Sequence, residues 1–363
     1  MVLAVTSYED VAASNDTLSG LNLAWTCDEQ QFLTQDVTGI VKDELSQELN
    51  QGLPYVQSYF LDDPFGQTAL KPAAAHHLGL SPEDFQLTAG AGINTLLYAL
   101  SRISKRGGGY MIGDVYPDLP HWLAQNGAQC RSRHSREMGN DDLENISRIK
   151  PALVHIERPN LMGELVSDAH LNALLDTADA VGALVIIDEA YGNYLPPSHS
   201  MARLVKDRDN LIVLRGISKG YWLGGVRLGY AIASSDATRI LRDALVPMSV
   251  SSLSYRIGKR VLHCADLTLG LRQRIAAVKH DLSALLEGLD VPPGIGLESS
   301  LPYLVWPKED CEDVYDYFYE KGVIGKKHFF WRGDNGDHIS TCFRMSIPLA
   351  QPRVEVFRRL LQS

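Results

Sequence analysis

The sequence predicts an α/β chain: a mainly parallel, seven-stranded type of sheet covered by helices on both faces, joined to a smaller α+β domain. Two observations carry this expectation. Through the middle of the chain, short β-branched runs alternate with longer stretches of helical periodicity, the pattern of a doubly covered parallel sheet. After about residue 245 the alternation gives way to a long helical region and then to short strands. At 363 residues the chain also exceeds the size at which one core keeps growing, so two lobes around a cleft are expected. We therefore expect residues 1–60 to join the smaller domain, residues 61–250 to form the large one, and residues 251–363 to complete the small one.

The elements follow in order. Strands are expected at Phe85–Thr88, Gly109–Ile112, Ala152–Ile156, Ala183–Ile187, Leu211–Leu214 and Arg227–Ile232, each an apolar run short enough to be a buried strand. Ile93, Leu96, Leu97 and Leu100 fall at i, i+3, i+4 and i+7, as do Leu171, Leu174, Leu175 and Ala178, so both stretches read as helices with one buried face. A long helical region spans roughly 252–289. Pro292-Pro293-Gly-Ile-Gly then opens short strands at Tyr303–Trp306, Val323–Ile324 and Cys342–Ser346, and a last helix covers about Pro352–Leu361.

Composition removes several classes of function. Hydrophobic content of 45% and charged content of 21% are those of a globular protein. The formal net charge is −10, with no dense Lys/Arg cluster, so a nucleic-acid partner is not expected. The five cysteines contain no CxxC pair, which argues against a zinc site or disulfide framework and fits a reducing cytoplasm. The N-terminus lacks a basic n-region, and no apolar run approaches the roughly 18 residues of a membrane span. We expect no metal, no membrane contact and a cytoplasmic location.

The chemistry gathers at strand ends. Ser218-Lys219 follows the Leu211–Leu214 run and precedes the glycine-containing loop Gly220–Gly225, which leads to Arg227. A lysine at a strand end beside a loop can be partly desolvated, which frees its amine to attack a carbonyl. Asp188 ends the buried run Ala183–Ile187, at the mouth of the sheet where ligands of α/β proteins bind. Thr88-Ala-Gly-Ala-Gly-Ile-Asn94 leads from a strand into a helix, and its small residues Gly90, Ala91 and Gly92 expose backbone N–H groups at a helix N-terminus, suited to an anion. Arg227 and the Ser218 hydroxyl can add ligands to that anion.

Taken together, these residues resemble the fold-type-I, pyridoxal 5′-phosphate (PLP) dependent aminotransferase family, over roughly residues 30–355. The family's Ser-Lys with Arg eight residues on stands as Ser218-Lys219…Arg227, its Asp-x-Ala-Tyr as Asp188-Glu-Ala-Tyr191, and its Gly-Ala turn as Gly90-Ala-Gly92. The resemblance implies PLP held as a Schiff base on Lys219, with Asp188 under the ring nitrogen and Tyr191 on the phenolic oxygen. It further implies Tyr116 stacked on the ring and Asn160 beside the phenolic oxygen and the substrate. Arg344 would grip the substrate α-carboxylate, and Tyr59 would reach the phosphate of a neighbouring subunit in a homodimer.

Departures from the family pattern matter as well. Asn160-Leu-Met-Gly163 lacks the usual Pro-Thr, and Gly216 stands where many relatives place a phosphate-binding hydroxyl. Residues 326–338, Lys-Lys-His-Phe-Phe-Trp-Arg-Gly-Asp-Asn-Gly-Asp-His, resemble a segment of PLP-dependent L-arginine oxidases and related arginine-processing enzymes of the capreomycidine and enduracididine type. Valine–pyruvate aminotransferases also carry a His-Phe-Phe there. By resemblance, Lys219 released from the cofactor would serve as base at Cα, giving a quinonoid whose fate selects transamination, cyclisation or oxidation. The expectation placed first is dehydrative cyclisation of a hydroxyarginine. An ordinary aminotransferase is the alternative, and an arginine oxidase a third reading. Trp25 and Thr26 are expected to line the substrate cleft, and Glu9, Asp28, Glu29 and Asp118 are carboxylates that can pair with a guanidinium. His328 and His338 can move protons near the side chain.

Overall fold

In a computed structural model, residues 20–104, 107–113, 115–133, 138–307, 311–334 and 338–362 are described, without the side chains of 132–133, 329–334 and 338–341. Twelve strands are present among them: β1 (Leu21–Asn22), β2 (Gln86–Gly90), β3 (Gly109–Ile112), β4 (Cys130–Arg133), β5 (Leu153–Glu157), β6 (Leu184–Asp188), β7 (Leu211–Gly216), β8 (Gly229–Ala233), β9 (Tyr303–Trp306), β10 (Val323–Ile324), β11 (Lys326–Asp334) and β12 (His338–Ser346). Seven of them, in the order β2-β8-β7-β6-β5-β3-β4, form the expected sheet. All run parallel except β8, which is antiparallel to both of its neighbours.

Side-chain alternation along the strands builds a core on each face. Leu211 and Val213 of β7 point to one face with Val185 and Ile187 of β6, where the helix Asp168–Ala180 lays down Leu171, Leu174, Leu175 and Ala178. Ile212, Leu214 and Ile186 point to the other, under Leu96, Leu97 and Leu100 of the helix Ile93–Ile103. Both helices bury the stripes that their spacing predicts. Each fully buried Leu or Ile here contributes about 1.5–3 kcal/mol, and their period of two in strands and 3.6 in helices is what makes the elements legible.

Some expectations shift. The strand expected from Arg227 starts at Gly229, because Arg227 adopts a left-handed backbone with φ 54°. The helical region 252–289 is two helices, Ser252–His263 and Leu269–Glu287. The first packs Tyr255, Ile257, Val261 and Leu262 into the large core, while the second packs Leu271, Ile275 and Leu282 into a separate cluster with Trp306, Phe318, Phe343 and Phe357. β4 and β11 had no expected counterpart. β11 forms a hairpin with β12, and its Gly333 and Asp334 pair with Ser132 and Arg131 of β4, so β11, β12 and β9 extend the sheet to ten strands. The chain's N-terminal β1 pairs in parallel with β10, which returns the early residues to the C-terminal lobe and beside the cleft.

Candidate active site

A cleft of about 700 Å³ opens at the C-terminal ends of β5, β6 and β7, bounded by the two clusters. Into it the structure brings Lys219, Asp188, Tyr191, Ser218, Arg227, Gly92, Tyr116, Arg344, Trp25 and Thr26, ten residues spread over three hundred positions of sequence. The Lys219 ammonium lies 3.7 Å above the centroid of the Tyr191 ring. Asp188, almost wholly buried, accepts the Ala190 N–H at 2.8 Å through one oxygen, and its other oxygen lies 3.8 Å from Nε2 of the fully buried His155.

At the glycine turn the backbone itself makes the cradle. Gly92 has φ 82°, and a Cβ there would stand 2.5 Å from an Arg227 guanidinium nitrogen. Gly229 lets β8 pass directly beneath, since a Cβ at that point would lie 2.5 Å from the Ile93 nitrogen. Arg227 donates to the carbonyls of Ala91 at 3.3 Å and Gly224 at 3.2 Å, which aims its guanidinium at the start of the helix Ile93–Ile103. Gly90 and Ala91 support this turn without facing the cleft; Gly92, Ile93 and Asn94 face it.

The peptide carbonyl of Lys219 is held by Asn193, whose side-chain amide donates to it and to the Gly216 carbonyl, each at 2.8 Å. Asn193 in turn accepts from Arg215 at 3.0 Å, and Arg215 is paired with Glu189 inside the protein. Across the cleft, Arg344 donates to the Tyr191 hydroxyl at 2.8 Å and stacks over Tyr303 at 4.9 Å. Burial would raise the Tyr191 phenol, but the charges of Arg344 and Lys219 outweigh it and hold the phenol below its ordinary value. His328 is pushed well below the ordinary histidine range by burial and by the cations Arg344, Lys326 and Lys219, so it enters the cleft as a neutral imidazole. Burial and the same neighbours bring Lys326 down to about 8, and its ammonium lies 4.3 Å over the Trp25 ring.

Several expected residues are placed elsewhere. The Asn160 side chain is engaged by Glu164, donating to its carboxylate and accepting its backbone N–H, both at 2.9 Å. Leu161 faces the cleft instead, and Leu161 and Met162 pack into the smaller lobe, which explains why apolar residues replace Pro-Thr in this loop. Asp28 accepts the Leu349 and Ala350 N–H groups at 2.8 Å and pairs with Arg353, so it anchors the final helix rather than the cleft. Asp118 is buried behind Tyr116. Tyr59 is 84% exposed in a separate depression lined by Tyr55–Phe60, Met248 and Val250–Leu253. Glu9 and the side chain of His338 lie outside the described residues.

Other cleft residues escaped the sequence reading. Glu157 ends β5 opposite Asp188 in register and accepts the Tyr116 N–H at 2.6 Å. The strand-end rule that singled out Asp188 applies equally to Glu157. Tyr194, Trp222, Tyr303 and Lys326 also line the cleft, while His155 lies behind Asp188 through the β5–β6 pairing and Asn193 behind Lys219; no spacing in the sequence signals these meetings.

The family profile of class I and II aminotransferases matches residues 58–362. The chain belongs to this family. It is a PLP-dependent enzyme of the aminotransferase type, with the corresponding α/β fold. Among curated relatives, the histidinol-phosphate aminotransferase of Thermoanaerobacter pseudethanolicus is 26% identical over 264 residues, covering 70% of this chain and 72% of the relative. In fold, the chain is similar to a methionine aminotransferase of Escherichia coli (TM-score 0.74, 17% identity, covering 100% of this chain and 98% of that one). It is also similar to the L-threonine-O-3-phosphate decarboxylase of Porphyromonas gingivalis (TM-score 0.70, 16% identity, covering 94% and 98%). Two different reactions on one scaffold leave the chemistry to be argued from the site. Among the described residues, no helix is long and apolar enough to cross a membrane.

Proposed function

We propose that this enzyme transfers an amino group between an amino acid and a 2-oxo acid, with Lys219 as the covalent anchor of PLP and the proton-moving base. The observation that carries the reading is the meeting of Lys219, Asp188 and Arg344 in one cleft, with Tyr191 between the lysine and the arginine. The residues fit the cofactor. The cradle at Gly92, which a Cβ would fill with contact to Arg227, suits a phosphate. Asp188 at the end of β6 suits a protonated ring nitrogen, with His155 behind it to orient the carboxylate. Bound there, PLP supplies an electrophilic carbon and a ring that takes up the negative charge left when Cα loses its proton.

Arg344 receives the substrate carboxylate through its forked donors; its Nε, buried with no hydrogen-bond partner, remains to be used. Tyr191, already turned toward Arg344, orients that guanidinium. The Lys219 amine then moves the proton from Cα, while Tyr116 and Trp222 cover the site and exclude water.

Dehydrative cyclisation of a hydroxyarginine, the reaction placed first from sequence, loses part of its support, although Glu29 lines the cleft. Asp28 is committed to backbone amides, Asp118 does not line the cleft, and Lys326 adds a cation to the cleft wall over Trp25, which opposes a guanidinium. Oxidation of arginine shares this difficulty. Transamination also agrees with the names of the curated relatives. Homodimerisation belongs to the same proposal, supported by the exposed Val56, Tyr59 and Leu61 beside an apolar depression. Incubating the PLP-loaded protein with amino donors and 2-oxo acids, and reading product masses, tests the reaction. A new amino acid formed at the expense of the oxo acid is expected; loss of water from a hydroxyarginine with no oxo acid consumed overturns it. Lys219→Ala should abolish the visible absorbance of lysine-linked PLP.

A further inference from the structure

Two consecutive residues of one short turn, Asn193 and Tyr194, link the backbone at Lys219 to the segment that roofs the cleft. Asn193 donates to the Lys219 carbonyl at 2.8 Å. From the same turn, the Tyr194 hydroxyl donates to Glu29. Gly220 is pressed against this turn: its φ is 76°, and a Cβ there would stand 2.9 Å from that of Asn193. The Asn193 edge is braced from inside the large lobe by Arg215 and Glu189. The Tyr194 edge is braced by Glu29, which comes from the segment that also brings Trp25 and Thr26 over the cleft.

We propose that Tyr194 and Glu29 are positioning residues for Lys219: they fix the turn whose Asn193 holds the Lys219 carbonyl, and so tie the N-terminal roof of the cleft to the lysine. This rests on Lys219 being the anchor of PLP. A fixed peptide plane at the root of a four-carbon side chain limits the arc its amine can sweep, which is what a base serving two positions, cofactor and Cα, requires. The Tyr194 hydrogen bond to Glu29 is charge-assisted when Glu29 is ionised, and so holds the turn more firmly. The groups that face Glu29 are Tyr194, Asp28 and Lys219; burial, the largest influence, raises its carboxyl to about 7, with Asp28 adding to the rise and Tyr194 and Lys219 opposing it. Above that pH the enzyme holds a negative charge next to its lysine.

The test uses the PLP-loaded enzyme and the variants Glu29→Gln, Tyr194→Phe and their combination, each first checked for folding by its melting curve. The pH midpoint of the visible absorbance of lysine-linked PLP reports the charge felt at Lys219. Glu29→Gln, which keeps the shape and hydrogen-bonding capacity, should lower that midpoint by roughly half a unit, because a neighbouring negative charge that favoured the protonated form is gone. Tyr194→Phe should lower kcat about tenfold, the worth of one charge-assisted hydrogen bond, with KM for the amino acid changed less than twofold. The double variant should lose no more than Tyr194→Phe alone, since the two act through one linkage. An unchanged midpoint in Glu29→Gln with kcat within twofold in Tyr194→Phe, in variants that melt normally, overturns the proposal. If Lys219→Ala keeps the absorbance of lysine-linked PLP, the assignment of Lys219 fails instead, which separates the two outcomes.

Discussion

The buried Glu189–Arg215 pair offers the sharpest test of how the large lobe supports its site. Arg215 is 2% exposed, and Glu189 is equally enclosed. Glu189 accepts from Arg215, from the Ser200 hydroxyl at 2.7 Å and from the Met201 N–H at 2.6 Å. Replacing Arg215 with Met removes the counter-charge and leaves two neutral donors on a carboxylate sealed from water. Removing one partner of a buried pair costs about 3–5 kcal/mol, and the two surviving hydrogen bonds place this case near the lower end. With an unfolding entropy of about 2.1 cal/mol/K per residue, a 363-residue chain has roughly 0.76 kcal/mol/K, so Arg215→Met should lower Tm by about 4 °C. Urea unfolding at pH 7.5 should show the same loss as a shifted midpoint with an unchanged slope. Adding Glu189→Leu should restore part of it, because the stranded charge is then gone although Ser200 and the Met201 amide lose their acceptor. A cost below about 1 kcal/mol for Arg215→Met would refute the reasoning, since it would mean water or a rearranged partner already neutralises Glu189.

Three further outcomes are expected. Arg344→Lys should cut kcat/KM for amino acids by about a hundredfold, because an ammonium cannot reproduce the forked contact to a carboxylate while also holding Tyr191; steady-state kinetics against several donors checks this. Gly92→Ala should weaken PLP affinity by about tenfold or more, from the Cβ placed 2.5 Å from Arg227 and the left-handed backbone, as read by fluorescence titration of the cofactor-free protein. In that cofactor-free protein, Glu29 has a folded value of about 7 against an ordinary 4.5. Its contribution to stability is therefore fully present below pH 4.5 and lost as pH rises through 7. The stability difference between wild type and Glu29→Gln should move against the wild type over that window by roughly 3 kcal/mol, measured by urea melts at successive pH values.

Much of this protein can be read from local pattern. The apolar period of β6 and β7, the stripes Leu96–Leu100 and Leu171–Ala178, and the strand-end positions of Asp188 and Lys219 all depend on residues within a few positions of one another. That is why the large sheet, and the residues proposed to hold the cofactor, were legible. Non-local arrangement decided the rest. β11 has few cues of its own and becomes a strand by pairing with β12 and β4. Asp28 and Glu29 are chemically alike neighbours, yet one anchors the final helix and the other enters the cleft. Both lie in the irregular segment after β1, and where each side chain points is decided only once β1 has paired with β10, more than three hundred residues away.

The same holds for Asn160, which resembles a cofactor ligand in sequence but is taken by Glu164 while Leu161 and Met162 fill the smaller lobe. Lys219, the proposed anchor of PLP, could therefore be singled out from sequence alone, because its strand, its loop and Arg227 are contiguous. The residues proposed to support it, Asn193, Tyr194 and Glu29, were brought there by the tertiary structure: side chains that hold a lysine from behind need only meet it in space, and no spacing in the chain records that meeting.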